Sequence, residues 1–255
     1  MFTEETLRFL RALKRHNDRE WFKARRDQYE AHVRGPAVAF VGRMAVVLPT
    51  FAPEVVASPR LSLYRVYRDT RFSHDKTPLK THIGMIFPWR GLARHEGAGF
   101  YVEVAPERSL VAGGIYAPQT PQLRAVRTHI AEHWPRFSAI VEQRGFRAAF
   151  GGLQGDQLSR VPVGFARDHP AGEYLKFRQF LAWREYPAQY ALSPRFFGEV
   201  VRRMRQMTPL MRFLNEPLVA AARTAELAIG LVGTGPDIGP GGRGRRSLAG
   251  RGQSG

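Results

Sequence analysis

Between Arg65 and Lys80 the chain reads Arg-Val-Tyr-Arg-Asp-Thr-Arg-Phe-Ser-His-Asp-Lys-Thr-Pro-Leu-Lys. Arg65, Arg68, Arg71, Lys76 and Lys80 are interleaved there with Asp69 and Asp75, and Thr70, Ser73, His74 and Thr77 fill the gaps. Burying so many hydrogen-bonding groups is costly, which makes this stretch the first candidate for a site. Guanidinium forks grip carboxylate or phosphate oxygens in pairs, and ammonium groups act as point charges. The pattern predicts a phosphorylated or other anionic ligand held by Arg65, Arg68, Arg71, Ser73, Lys76 and Lys80. Asp69 and Asp75 are the candidate catalytic groups, orienting the arginines or moving a proton. The residues do not fix a reaction; hydrolysis or transfer of a phosphate ester is the simplest that would suit them. The alternative is a lock of Arg and Asp pairs that pins a loop to a sheet, with no catalysis.

Other motifs assign no cofactor and no metal. His129 and His133 sit at i and i+4 without a persuasive third ligand, the spacing of an exposed helix face. Gly113-Gly114 and Gly151-Gly152 fall outside the glycine patterns that cradle phosphates, so close backbone packing or turns are expected there. No Gly-x-Ser-x-Gly elbow is present. Asn17-Asp18-Arg19-Glu20-Trp21-Phe22 reads as a helix cap followed by core aromatics, and Arg202, Arg203 and Arg205 as a solvated helix face.

The 255 residues are 44% hydrophobic and 24% charged, the composition of a globular chain. The formal net charge of +17 favours anionic partners and makes a nucleic-acid-binding module the second functional reading. Arginine abundance alone is weak support, because only five of the 39 basic residues are lysine. From Leu218 onward there are five arginines and two acids, so the body keeps 34 bases and 20 acids and its basic character is its own. Cysteine is absent, which excludes disulfides and thiolate chemistry and fits a cytoplasmic protein. No secretory signal and no apolar run that would span a bilayer is read from the sequence, so no membrane partner is expected.

These side chains need a frame, and the periodicities predict an α+β fold: an antiparallel sheet flanked by N-terminal, central and C-terminal helices in a single domain. Thr3 caps a first helix with Phe2 set to pack on Leu7; Asp18 caps a second, which Gly35-Pro36 is expected to stop before an apolar third. Alternation predicts strands over 61–68, 81–87, 99–104 and 108–116, with 69–80 a loop after the first of them. Helices are expected over 120–133 and 134–145, a short helix and a strand within 172–186, and a last helix opened by Ser193-Pro194. The domain is expected over 1–217, with a mostly disordered Gly/Arg-rich tail over 218–255.

The stretches Asn17 to Phe22, Tyr64 to Thr81, His169-Pro170 with Tyr174-Leu175-Lys176, and Pro209-Leu210 with Phe213-Leu214-Asn215 resemble the DUF2461 family of bacterial and fungal proteins. The resemblance spans about residues 2–217 and implies an α+β architecture; it implies no activity. One departure is Leu79, where the family pattern usually has Tyr after the motif proline, so neither a ring nor a hydroxyl is expected to be required there.

Overall fold

In the computed structural model the structure describes residues 1–232 apart from 70, 72 and 73, with side chains placed as far as 225. Phe2 is buried, and the Thr3 N–H donates to Thr6 Oγ1 at 3.1 Å, so helix α1 (Glu4–Arg15) begins at its expected cap and buries Leu7, Leu10 and Leu13. Asp18 accepts hydrogen bonds from the amides of Glu20 and Trp21 and opens α2 (Arg19–Lys23). A longer rod follows: α3 (Arg26–Tyr29), a π turn (Glu30–Arg34) and α4 (Gly35–Val47).

Gly35-Pro36 therefore does not stop the helix. The wider π turn lets the proline ring clear the carbonyls of the preceding turn. Gly35 is needed beside it, because a Cβ there would lie 2.9 Å from the Glu30 carbonyl oxygen. With that break gone, Arg26–Thr50 is one helix long and apolar enough to cross a membrane by length and composition, contrary to the expectation that no such run exists. Its Val33, Ala37, Phe40, Val41, Met44 and Leu48 are spent on the core of this fold.

The strand expected over 61–68 is a misreading of alternation. Ser58 Oγ accepts from the Leu61 amide at 3.3 Å and Pro59 starts a single helical turn, α5 (Pro59–Ser62). The extended segment that follows meets the sheet by the bridge Leu63↔Met85 and by the Tyr64 N–H to the Gly84 carbonyl at 3.2 Å.

Four strands make the sheet in sequence order, every neighbour antiparallel: β1 (Ile83–Phe87), β2 (Gly99–Val104), β3 (Arg108–Ile115) and β4 (Phe180–Pro187). Between β3 and β4 the chain forms α6 (Thr120–Glu132), α7 (Trp134–Val141), α8 (Arg144–Phe150) and the short α9 (Gly172–Leu175). Helix α10 (Phe196–Val232) lies against β2 and β3 and gathers α6, α7 and α8 around it. The fold is α+β with an antiparallel sheet, as expected.

Alternation along each strand puts Met85 and Phe87, Phe100 and Val102, and Val111 and Ile115 on the buried face. Two expectations about α10 change. It runs through Pro217 to Val232, because a proline removes one hydrogen bond from a helix already anchored by Leu214 and Leu218, so the helix continues past the boundary expected at 217; 233–255 lie outside the described residues. Arg203 is also not on a solvated face: it is 8% exposed, with its Nε donating to Glu199 Oε1 at 2.8 Å and to the Tyr186 hydroxyl at 2.9 Å.

Candidate functional site: the open face of the sheet

The sheet face opposite α10 is uncovered, and its residues form rungs across the strands. One rung is Gly84, Glu103, Leu110 and Glu185, the next Ile86, Tyr101, Ala112 and Trp183, and a third Gly99, Gly114 and Leu181. Small residues in the rungs sink the floor, and the result is a cavity of about 680 Å³ walled by Tyr64, Lys80, His82, Arg94 and His95. That volume lies within the usual range for small-molecule sites. Gly84 shapes the wall: a Cβ there would come within 2.9 Å of the Tyr101 hydroxyl oxygen and 3.1 Å of the Tyr64 ring.

The arms on either side of residues 69–77 pair with each other, and the returning arm brings Lys80 to this cavity. The Arg68 N–H donates to the Pro78 carbonyl at 2.9 Å and the Lys80 N–H to the Val66 carbonyl at 2.7 Å, around a bridge between Tyr67 and Leu79. Asn17 clamps the returning arm from outside. Its Nδ2 donates to the Leu79 carbonyl at 2.9 Å and its Oδ1 accepts from the Leu79 N–H at 3.0 Å, a pairing that imitates a neighbouring strand. Leu79 itself is fully buried. Asn17→Ala strands both backbone groups and is expected to cost about 1–2 kcal/mol, read as an earlier urea midpoint.

The two arms divide the predicted site residues. Lys80 lines the large cavity, and Arg65 lines a smaller one of about 190 Å³ on the other side of Tyr64 and His82, which border both. Arg68, Asp69, Arg71, Asp75 and Lys76 line neither. Asp75 Oδ1 accepts from the Thr77 amide at 2.9 Å and hydroxyl at 2.7 Å while its other oxygen takes Arg68, and these bonds hold its carboxyl below the usual range. Arg71 grips Asp69 through Nε at 3.0 Å and Nη2 at 2.8 Å, which pulls the Asp69 carboxyl down to about 2. Ser73, also a predicted ligand-binding residue, lies outside the described residues.

Inside the cavity the charges are arranged differently. Lys80 Nζ sits 4.6 Å and Arg94 Cζ 4.4 Å from the centroid of the Tyr64 ring, with His95 stacked on the same ring at 6.0 Å. Such cation–π contacts ease the crowding of like charges. Among the described residues neither Lys80 nor Arg94 has a carboxylate at ion-pair distance. Arg94 Nη2 donates to the Leu63 carbonyl at 3.2 Å, and its Nε is buried without a hydrogen-bond partner. Burial, then Arg65, Arg94 and Arg68, push the Lys80 ammonium down from its ordinary value.

The acids of the cavity pair with other side chains. Glu103 accepts from the Tyr101 hydroxyl at 2.9 Å, lies 3.5 Å from Arg108 Nε and 3.9 Å from His82 Nε2, while Arg108 also binds Glu185 at 2.5 Å. Burial pushes His82 down against the upward pull of Glu103, and burial and Glu103 push the Tyr101 phenol up. A second amide fixes another part of the lining: Asn215, 1% exposed, accepts from the Ala98 N–H at 2.8 Å and donates to its carbonyl at 2.9 Å, between Gly97 and Gly99 of the cavity lining.

A family model described as a conserved hypothetical protein (DUF2461) matches residues 5–213. The chain belongs to the DUF2461 family. No curated protein and no solved structure matches it. In this DUF2461 chain three of the four resembling stretches bear on the cavity: Asn17 holds the arm carrying Lys80, and Asn215 holds the loop before β2, while Tyr174 of the fourth packs on Trp134, Phe137 and Phe177. Sequence reasoning missed Arg94, Tyr101, Glu103, Arg108 and Trp183. The signal for two of them was present in β2, where Tyr101 and Glu103 alternate with Phe100, Val102 and Val104 and mark a polar face. Metal-binding clusters of three or more His, Asp or Glu are absent among the described residues.

Proposed function

We propose that this protein binds a small anionic ligand in the cavity on the open face of the sheet, with Lys80 and Arg94 as its anion-binding pair. The observation that carries it is two cations on one aromatic ring, partly buried, with no carboxylate partner among the described residues. Unbalanced buried charge destabilises a fold, and an anionic ligand relieves it. Arg65 adds to the same field from the smaller cavity. Tyr101 and Trp183 offer apolar surface beside it for the body of the ligand.

Titration with inorganic phosphate, citrate and nucleoside monophosphates, followed by thermal shift and calorimetry, tests the reading. One of these anions is expected to raise the melting temperature with concentration, as a ligand of the native state must. Lys80→Met is expected to weaken it about 10- to 100-fold, the worth of a charge-assisted hydrogen bond, while Arg68→Ala stays within about twofold. The reverse ranking moves the site to the cluster of Arg68 and Asp75, and no response to any anion ends the reading.

The net charge of +17 supports a second reading, nucleic-acid binding. There, single-stranded DNA would bind with an affinity that falls steeply with salt, and Arg68→Ala would cost as much as Lys80→Met.

A further inference from the structure

Of the five lysines, Lys14 bonds Glu107 and Lys176 bonds Glu173, each at 2.5 Å, and Lys23 and Lys76 are exposed. Lys80 is the one lysine that lines either cavity. Its amine lies over the Tyr64 ring beside Arg94, and the charges that bear on it are the guanidinium groups of Arg65, Arg94 and Arg68. The cavity's carboxylates are engaged elsewhere, Glu103 by Tyr101 and Arg108 and Glu185 by Arg108. Desolvation and neighbouring cations are the two means by which a lysine amine becomes a nucleophile toward carbonyl carbon.

We propose that Lys80 is a carbonyl-reactive amine that forms an imine with a small aldehyde or ketone carrying a phosphate or carboxylate group. The proposal rests on the anion-binding reading of the same cavity and adds the class of ligand. The ammonium gives one proton to water, and the free amine attacks the carbonyl carbon to give a carbinolamine. Protonation of the carbinolamine oxygen lets it leave as water while the C=N bond forms, so lysine ammonium and carbonyl compound become protonated imine and water with no change of oxidation state. Arg94 is placed to hold the ligand's anionic group. His82, whose Nε2 is 3.9 Å from Glu103, is the titratable group of the cavity wall nearest in chain to Lys80 and feels its charge.

Pyridoxal 5′-phosphate with sodium cyanoborohydride is the probe, applied to the full chain at neutral pH and followed by peptide mass mapping. The expected result is one reduced adduct, on Lys80, forming at least about tenfold faster than on any of the other four lysines. Pyridoxal, which lacks the phosphate, is expected to label Lys80 about tenfold more slowly. Lys80→Arg keeps the positive charge and is expected to abolish that adduct while leaving labelling of the other four unchanged, which also reports on the fold.

Labelling that follows exposure, led by Lys23 and Lys76, overturns the proposal. If inorganic phosphate still stabilises the protein in that case, the anion-binding reading survives and only the imine falls. Equal labelling of Lys80 by pyridoxal and its phosphate overturns the anionic class while leaving a reactive amine.

Discussion

Gly114→Ala is expected to unfold the protein or to lower its unfolding free energy by at least about 4 kcal/mol. Gly114 has φ of 135°, and a Cβ on it would stand 1.9 Å from the Phe180 carbonyl oxygen and 2.9 Å from Leu181 Cα. Both are backbone atoms of the paired strand, so no side chain can turn aside to make room. β3 and β4 would have to part at the rung of Gly99, Gly114 and Leu181, which floors one end of the cavity. Gly151 is the control, since its φ of 76° is also left-handed but nothing lies within 4 Å of an added Cβ. Gly151→Ala is expected to cost only the backbone strain, about 1–2 kcal/mol. Urea denaturation followed by circular dichroism separates the two, and equal losses would remove the close approach from the account.

The Gly113-Gly114 pair shows what a sequence can and cannot express. Lacking a phosphate-loop pattern, it was readable as close backbone packing or a turn, and the packing alternative holds at Gly114, which faces the backbone of β4, while Gly113 makes room for the Met207 side chain, whose sulfur a Cβ would meet at 2.9 Å. The partners themselves lie some tens of residues further along the chain and are not legible from local pattern. The helix caps at Thr3 and Asp18 depend only on neighbours and were readable. Residues 61–68 failed for a complementary reason. Leu61, Leu63, Arg65 and Tyr67 alternate as a strand does, but Ser58-Pro59 commits the segment to a helical turn before any pairing partner is reached.

The site was located in sequence by density of charge, and density of charge pointed to both ends of a hairpin and to its tip. Charged groups that neutralise each other locally, as Asp69 with Arg71 and Asp75 with Arg68, look in sequence just like charged groups left for a ligand. Only the pairing register separates them, by carrying Lys80 back beside Tyr64 and leaving Asp69, Arg71, Asp75 and Lys76 outside the cavity. Arg94, Arg108 and Trp183 enter from a loop and two other strands, and cross-strand adjacency of that kind has no local signature.

Glu199→Ala is expected to lower the unfolding free energy by about 3–5 kcal/mol at neutral pH, the usual result of removing one partner of a buried ion pair. Glu199 Oε1 accepts from the Tyr186 hydroxyl at 2.7 Å and from Arg203 Nε at 2.8 Å, and Arg202 binds the same carboxylate from the surface. Arg203 then keeps only the Tyr186 hydroxyl and Gln206 Oε1, at 3.2 Å, as acceptors for a charge withdrawn from water. Burial pushes the Glu199 carboxyl up, but the bonds from Tyr186 and Arg202 and the charge of Arg203 outweigh it and hold it below the ordinary value. A group depressed in this way contributes its stability above its unfolded pKa, about 4.3, and loses it as pH falls through the folded value. The gap between wild type and variant in urea titrations is therefore expected to be widest above that pH and to narrow below it. It should not close, because alanine also removes the acceptor of Tyr186. A gap that is constant from neutral to acid pH would show that packing, not charge, sets the cost. Adding Arg203→Met to Glu199→Ala is expected to recover part of the loss, since the stranded guanidinium is removed along with its partner.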